Sequence, residues 1–247
     1  MQPTVQPHAT AVVTGASGGI GRAIVERLVD VGIDVHALAI DDESLAVLGE
    51  LPRVYLHPLD VRDSAALASL VARTSPDILV NNAGIIGELK SFSTTSPGGI
   101  DAVIDINLRA AVHATHAALP GMLQRDRGHV FFTGSIAGSR PTVNTAVYSA
   151  TKAALAAFAD GLRMDLLGSA VRTTVLMPGR VETRLYDETL GGHDEARRRL
   201  YSTIKAIQPA DIASLVMTAL AMPPHVDVTR LEVVPTMQVF GGSAIAE

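Results

Sequence analysis

The sequence predicts an α/β fold, with a doubly wound, seven-stranded, mainly parallel sheet carrying helices on both faces. Short β-branched runs alternate with longer stretches of helical apolar spacing, the pattern of βαβ units. A glycine-rich turn, Thr14-Gly15-Ala16-Ser17-Gly18-Gly19-Ile20-Gly21, joins the first run to the first helical stretch. The 247 residues show no break in composition, so one Rossmann-type domain over residues 10–247 is expected after a loose tail over residues 1–9.

The strands are read, in order, at AVV from Ala11, DVHAL from Asp34, VYLHPL from Val54, DILV from Asp77, HVFFT from His129, RTTVLM from Arg172 and LEVV from Leu231. Between them, Ile20 to Val31 and Asp211 to Met222 carry apolar residues at helical spacing and should cover the faces of the sheet. Right-handed crossovers should connect the strands. The polar, glycine-containing segment from Glu182 to Gln208 predicts a flap over the C-terminal strand ends, where open α/β sheets bind ligands.

Composition narrows the function classes. Cysteine is absent, which excludes disulfides and thiolate chemistry. The net charge is −5, and the basic cluster Arg197-Arg198-Arg199 has no interleaved aromatic residues, which argues against nucleic acid as a partner. The start, MQPTVQPHAT, lacks the basic and apolar regions of a signal peptide, and the apolar stretches fall short of a membrane span. A cytoplasmic protein with no membrane partner is the expectation. His113 and His116 stand three apart on a helix with no evident third ligand, so a structural role is expected and no metal site.

In the glycine-rich turn, Gly15 suits a tight bend, Gly19 lets backbone approach a pyrophosphate, and Gly21 lets the helix lie close to the strand. With Ser17, Gly18 and Ile20 these residues open a helix whose free N–H groups favour an anion. Asp60 ends the third strand and Asn81-Asn82-Ala83-Gly84 ends the fourth, which brings polar groups to the same sheet edge.

A second constellation carries acid–base chemistry. Tyr148 and Lys152 lie four apart in AVYSATKAALAAF, which puts both on one helix face. An ammonium beside a phenol favours the phenolate and lowers its pKa. Ser135 follows the fifth strand, where its hydroxyl can hydrogen-bond the substrate oxygen that Tyr148 protonates or deprotonates. Together the two sets predict an oxidoreductase moving a hydride between a nicotinamide and a small alcohol or carbonyl compound.

The TGxxxGxG pattern, NNAG, Ser135, YxxxK and Pro178-Gly179-Arg180-Val181-Glu182-Thr183 occur in one order, and in this the chain resembles the short-chain dehydrogenases/reductases. The resemblance implies that Asn107 holds a water linking Lys152 to solvent as a proton relay. It implies that Val181 and Thr183, after Pro178 and Gly179, contact the nicotinamide carboxamide. Asp60 and Val61 are placed against adenine, and Asn82, Ala83 and Gly84 on the ribose side, with Tyr148 and Lys152 also counted among the cofactor-binding residues. A homodimer or homotetramer is implied, with helices around Leu108 to Ala118 and Ala153 to Leu162 as the interface. The ending from Leu231 to Gln238, with LPGM at Leu119 and GSIAGSRP at Gly134, resembles the branch of serine/3-hydroxy acid dehydrogenases, sulfoacetaldehyde reductases and clavulanate-type aldehyde reductases. That branch commonly uses NADP.

The local reading of the cofactor differs. The second strand ends Leu38-Ala39-Ile40-Asp41-Asp42, without the aspartate usual at Ala39 for NAD or the arginine usual at Ile40 for NADP. Missing cations and two nearby carboxylates favour NAD(H) over NADP(H). Asp41 either reaches the ribose or caps the helix beginning near Glu43. Arg140, Arg180 and Arg184 are each placed either to bind a small anionic substrate, such as a hydroxy acid, or on the surface. Leu185, Tyr186 and Leu190 of the flap either line a pocket or pack against the sheet. The alternatives in function are a carrier-protein ketoreductase and a catalytically silent nucleotide sensor. The intact acid–base set counts against the sensor.

Overall fold

The computed structural model describes residues 9–202 and 204–238. Seven strands form one all-parallel sheet in the order β3-β2-β1-β4-β5-β6-β7. They are β1 (Thr10–Thr14), β2 (Asp34–Ala39), β3 (Val54–Pro58), β4 (Ile78–Asn81), β5 (Gly128–Thr133), β6 (Val171–Pro178) and β7 (Arg230–Val233). Each coincides with a run read from the sequence, within a residue or two. The central strand β4 is buried along its whole length, whereas the edge strands β3 and β7 alternate between exposed and partly covered positions. That contrast is expected of a sheet covered on both faces.

Successive side chains in a strand point to opposite faces. Val13, Val80 and Phe131 therefore pack on one side with Ile24 and Leu28 of α1 (Gly19–Asp30) and Ile212 and Val216 of α9 (Pro209–Leu220). Val12, Leu79, Val130 and Phe132 pack on the other side with α3 (Ser64–Thr74), α5 (Ala110–Gln124) and α6 (Ala146–Asp165). Phe131 and Phe132 are fully buried on opposite faces. Each contributes about 1.5–3 kcal/mol by leaving water, so the layers are held from both sides.

Local signals set the helix starts. Asp63 caps α3 by accepting the Ala66 N–H at 3.0 Å. Gln208 and Asp211 form a reciprocal capping box at α9, with Pro209 in its first turn. Shorter helices are α2 (Asp42–Ala46), α4 (Pro97–Ile104), α7 (Asp187–Leu190) and α8 (His193–Leu200). A π-helical turn, Asp105–Arg109, separates α4 from α5.

The predicted tail over residues 1–9 falls largely outside the described residues. Ala9 itself, read as part of that tail, is buried and its carbonyl accepts the Asp34 N–H at 3.1 Å. The flap segment holds a 3₁₀ turn, Arg184–Tyr186, and the helices α7 and α8, and it is pinned at its ends by a bridge between Val181 and Ile207. No helix among the described residues is long and apolar enough to cross a membrane.

Candidate active site

Strand order reverses between β1 and β4, and a crevice opens at their C-terminal ends. Thr14 closes β1, and its buried Oγ1 accepts the N–H groups of Asn82 and Ala83, each at 3.0 Å. The Asn82 amide donates to the carbonyls of Thr14 at 3.2 Å and Gly15 at 3.0 Å, and its Oδ1 accepts from Thr133 at 3.2 Å. The ends of β1, β4 and β5 are thus locked together.

Gly15 adopts φ +63°, which any residue with a Cβ would find strained. A Cβ at Gly21 would stand 2.1 Å from the Gly15 carbonyl oxygen, so only glycine lets α1 begin this close to the strand. No side chain caps α1, and Gly18, Gly19 and Ile20 of its first turn line the crevice. Uncapped N–H groups with space in front of them fit the pyrophosphate of a dinucleotide.

Beyond the glycine turn the crevice widens into a cavity of about 420 Å³. The structure brings together Gly15, Asn82, Ala83, Gly84, Ser135, Tyr148, Lys152, Pro178, Gly179, Val181 and Thr183 on its walls. Ser17, Gly21, Asp41, Asp60, Val61 and Asn107 do not line it. Gly21 acts from behind by its missing Cβ. Asp41 caps α2, accepting the N–H groups of Glu43 at 3.1 Å and Ser44 at 3.3 Å, the helix-cap role of the two expected for it. Asp60 is chelated by the Arg62 side chain and backbone, and these hydrogen bonds hold its carboxyl below the usual range.

The acid–base set stands at the inner end of the cavity. Ser135 and Tyr148 are both buried, and both line the cavity. Ser135 Oγ also accepts the Ala137 N–H at 3.1 Å, which orients it. Lys152 is 4% exposed and donates from Nζ to the Thr133 carbonyl at 2.6 Å. Burial lowers its pKa to about 8.

Burial works against the acidification of Tyr148 expected from Lys152. Burial pushes the phenol above its usual value, and the neighbouring Tyr186 hydroxyl adds to the effect, while only the Ser135 hydrogen bond opposes it. The Lys152 ammonium lies 5.7 Å from the centre of the Tyr148 ring and is turned toward Thr133. Desolvation therefore outweighs charge here, which favours the neutral form of the Tyr148 phenol.

Asn107 lies in the π-helical turn, a helix defect often found at functional positions. Its Oδ1 accepts the Ile85 N–H at 2.8 Å, while Nδ2 donates to the Ile85 carbonyl at 2.9 Å and Thr151 Oγ1 at 3.2 Å. An atom placed at a Gly84 Cβ would lie 3.3 Å from Asn107 Oδ1 and 3.4 Å from Lys152 Nζ. The space between these two groups is therefore kept by the absence of a side chain at Gly84.

Three contributors were not singled out from sequence. Thr14 and Thr133 sat inside or beside motifs already read, and their hydroxyl-bearing type at strand ends was the available signal. Gln238 accepts the Arg180 N–H at 2.9 Å from a distant segment, and no local pattern announces it. Of the flap residues, Leu185 and Tyr186 line the cavity and pack with Ile86, Ala137 and Tyr148, whereas Leu190 does not line it. Arg198 and Arg199 pair with Glu195, and Arg197 with Glu182, on an exposed helix face. His113 and His116 are exposed on α5.

A short chain dehydrogenase family model matches residues 9–192. The chain belongs to the short-chain dehydrogenase/reductase family. This dehydrogenase is 45% identical over 244 residues to the short-chain type dehydrogenase/reductase y4eK of Sinorhizobium fredii, covering 97% of this chain and 96% of the relative. It is 37% identical to the NADP-dependent 3-hydroxy acid dehydrogenase YdfG of Salmonella typhi, over 95% of this chain and 98% of that one. Among solved structures, the closed form of serine dehydrogenase complexed with NADP+ superposes with a TM-score of 0.90 at 35% identity, covering 96% and 99% of the two chains. Membership makes the protein an oxidoreductase and explains the sheet order and glycine turn as family features.

Proposed function

We propose that this dehydrogenase interconverts a small alcohol and its carbonyl form with a nicotinamide dinucleotide, on a substrate bearing an acidic group. The observation that carries the reading is the buried Ser135–Tyr148 hydroxyl pair, with Lys152 beside it, facing a cavity whose other end is the uncapped glycine turn. When bound, the nicotinamide gives or takes the hydride.

The chain's own residues supply the remainder. The first turn of α1 holds the pyrophosphate, and Val181 and Thr183 hold the nicotinamide end. Ser135 orients the substrate oxygen by hydrogen bonding. In reduction, the neutral Tyr148 hydroxyl gives its proton to that oxygen and becomes a phenolate, and in oxidation the phenolate takes the proton back. Lys152, with a pKa near 8, replenishes the proton at Tyr148, and the gap kept by Gly84 between Lys152 and Asn107 leaves room for a water to bring a proton to Lys152 from solvent. Leu185 and Tyr186 exclude water from the reacting oxygen.

For the cofactor we propose NAD(H). Ile40 at the end of β2 is 68% exposed, and Asp41, Asp42 and Glu43 follow it as exposed carboxylates. That field repels a 2′-phosphate. Similarity to NADP-dependent relatives points the other way, which makes the comparison of Michaelis constants informative. A higher kcat/KM with NADH supports the local charge reading, and a marked preference for NADPH contradicts it. Dimers or tetramers through α5 and α6 are also proposed, on the exposure of Ala157 on α6 and of His113 and His116 on α5, and light scattering tests this.

The reaction itself is tested by following nicotinamide absorbance with a panel of small hydroxy acids, diols and aldehydes. Turnover of at least one pair is expected. No absorbance change with any pair and either cofactor contradicts the assignment.

A further inference from the structure

Four cationic side chains line the cavity, Arg140, Lys152, Arg180 and Arg184, and no Asp or Glu among the described residues does. The pyrophosphate accounts for anion attraction at the glycine turn but not for this excess beyond it. The cations differ in what they already hold. Lys152 is committed to Thr133 at the acid–base set. Arg140 pairs with Glu232 at 2.7 Å, and Arg184 pairs with Asp187 and is 77% exposed.

Arg180 is different. It follows β6 directly, and its backbone is held from both sides, the N–H donating to Gln238 Oε1 at 2.9 Å and the carbonyl accepting the Ile207 N–H at 3.1 Å. Its side chain is half-buried, and Nη1 donates to the Leu200 carbonyl at 3.0 Å, which fixes the plane of the guanidinium. No carboxylate pairs with it among the described residues. Arg180 lines the same cavity as Tyr186 and Tyr148, and Tyr186 packs against Tyr148.

We infer that Arg180 is the anchor for an acidic group on the substrate, so that the enzyme selects small hydroxy acids or their sulfonate counterparts over neutral alcohols. The inference rests on the reaction proposed above and names the residue and ligand chemistry that determine its specificity. A guanidinium with one N–H on a backbone carbonyl keeps further donors for a bidentate carboxylate or sulfonate contact. The apolar walls contributed by Ile86, Leu89 and Tyr186 reduce the competition from water, which strengthens that contact.

The test compares a small hydroxy acid with its methyl ester in the full-length enzyme, wild type against Arg180→Gln and Arg180→Lys. In Arg180→Gln, kcat/KM for the acid should fall by roughly 10- to 100-fold through KM, while that for the ester changes by less than about threefold. Arg180→Lys should restore part of the loss for the acid. Calorimetric binding of an unreactive carboxylate of the same length should weaken in parallel, a readout independent of turnover. Equal losses for acid and ester, or undiminished acid turnover in Arg180→Gln, would overturn the anchor while leaving the proposed reaction standing. If the wild type oxidises neither compound, the reaction falls and the anchor with it. If Arg180→Gln unfolds, Arg180→Lys and the calorimetry carry the comparison, and identical carboxylate binding to Arg180→Lys and wild type overturns the inference.

Discussion

Lys152 donates from Nζ to the Thr133 carbonyl at 2.6 Å, tying α6 to the end of β5 two residues before Ser135. One hydrogen bond thus sets the spacing between the helix that carries Tyr148 and the strand end that carries Ser135. The ammonium also remains satisfied although it is almost fully removed from water.

Burial of Lys152 has a pH consequence. Its folded pKa, about 8, lies below the ordinary 10.5, so between those values the unfolded chain binds more protons. Stability referred to this group therefore rises with pH across that window and is lost again as pH falls toward 8. Relative to Lys152→Met, the wild type should gain on the order of 3 kcal/mol between pH 8 and 10.5. Urea unfolding of both proteins at several pH values measures it, and a flat difference contradicts the buried, depressed amine.

The Thr14 hydroxyl accepts two N–H groups of the Asn82-Ala83 turn. Thr14→Val keeps the shape and strands both donors. A loss of about 2–6 kcal/mol in unfolding free energy is expected, from the roughly 1–3 kcal/mol cost of each of the two unsatisfied groups. Denaturant titration checks it, and a change below the measurement error contradicts the role given to Thr14.

Two glycines at the start of α1, the N-cap Gly18 and Gly21 of the first turn, should respond differently. A Cβ at Gly21 meets the Gly15 carbonyl at 2.1 Å, whereas one at Gly18 meets nothing within 4 Å. Gly21→Ala should cost on the order of 1–3 kcal/mol and weaken dinucleotide binding, because the helix must move away from the strand. Gly18→Ala should leave stability unchanged. Thermal unfolding of the two variants decides between them.

Cofactor choice should be reversible at one position. Ile40→Arg places a guanidinium at the exposed end of β2, where no basic residue now precedes α2. The ratio of kcat/KM for NADPH over NADH should rise by about tenfold or more, given one charge-assisted contact to the 2′-phosphate. An unchanged ratio would mean that another group reads the 2′ position.

Much of this was legible in the chain itself. The seven strands were visible because buried parallel strands leave uninterrupted β-branched runs, and the glycine turn because a tight strand-to-helix junction demands that residue type. The helical spacing of Tyr148 and Lys152 placed them on one face, and the structure has both in the cavity. What the spacing concealed was the balance of burial against charge. A four-residue interval says nothing about desolvation, so the raised pKa of Tyr148 and the turn of Lys152 toward Thr133 emerged only from packing. Asp41 showed the same limit, since a carboxylate before a helix reads equally as a cap or a ribose ligand until its hydrogen bonds are seen. The partners of Arg180 come from Leu200 and Gln238, too far along the chain for any local pattern to join them.

The central claim is that the Tyr148 hydroxyl moves the proton in a hydride-transfer reaction, and Tyr148→Phe tests it most directly. Nicotinamide absorbance gives turnover, and calorimetric titration of the dinucleotide gives binding to the same preparation. Cofactor affinity should stay within about threefold of wild type while kcat falls by roughly 10²–10⁴-fold, the scale of a lost general acid. A variant that binds cofactor normally and keeps half of the wild-type turnover would contradict the assignment.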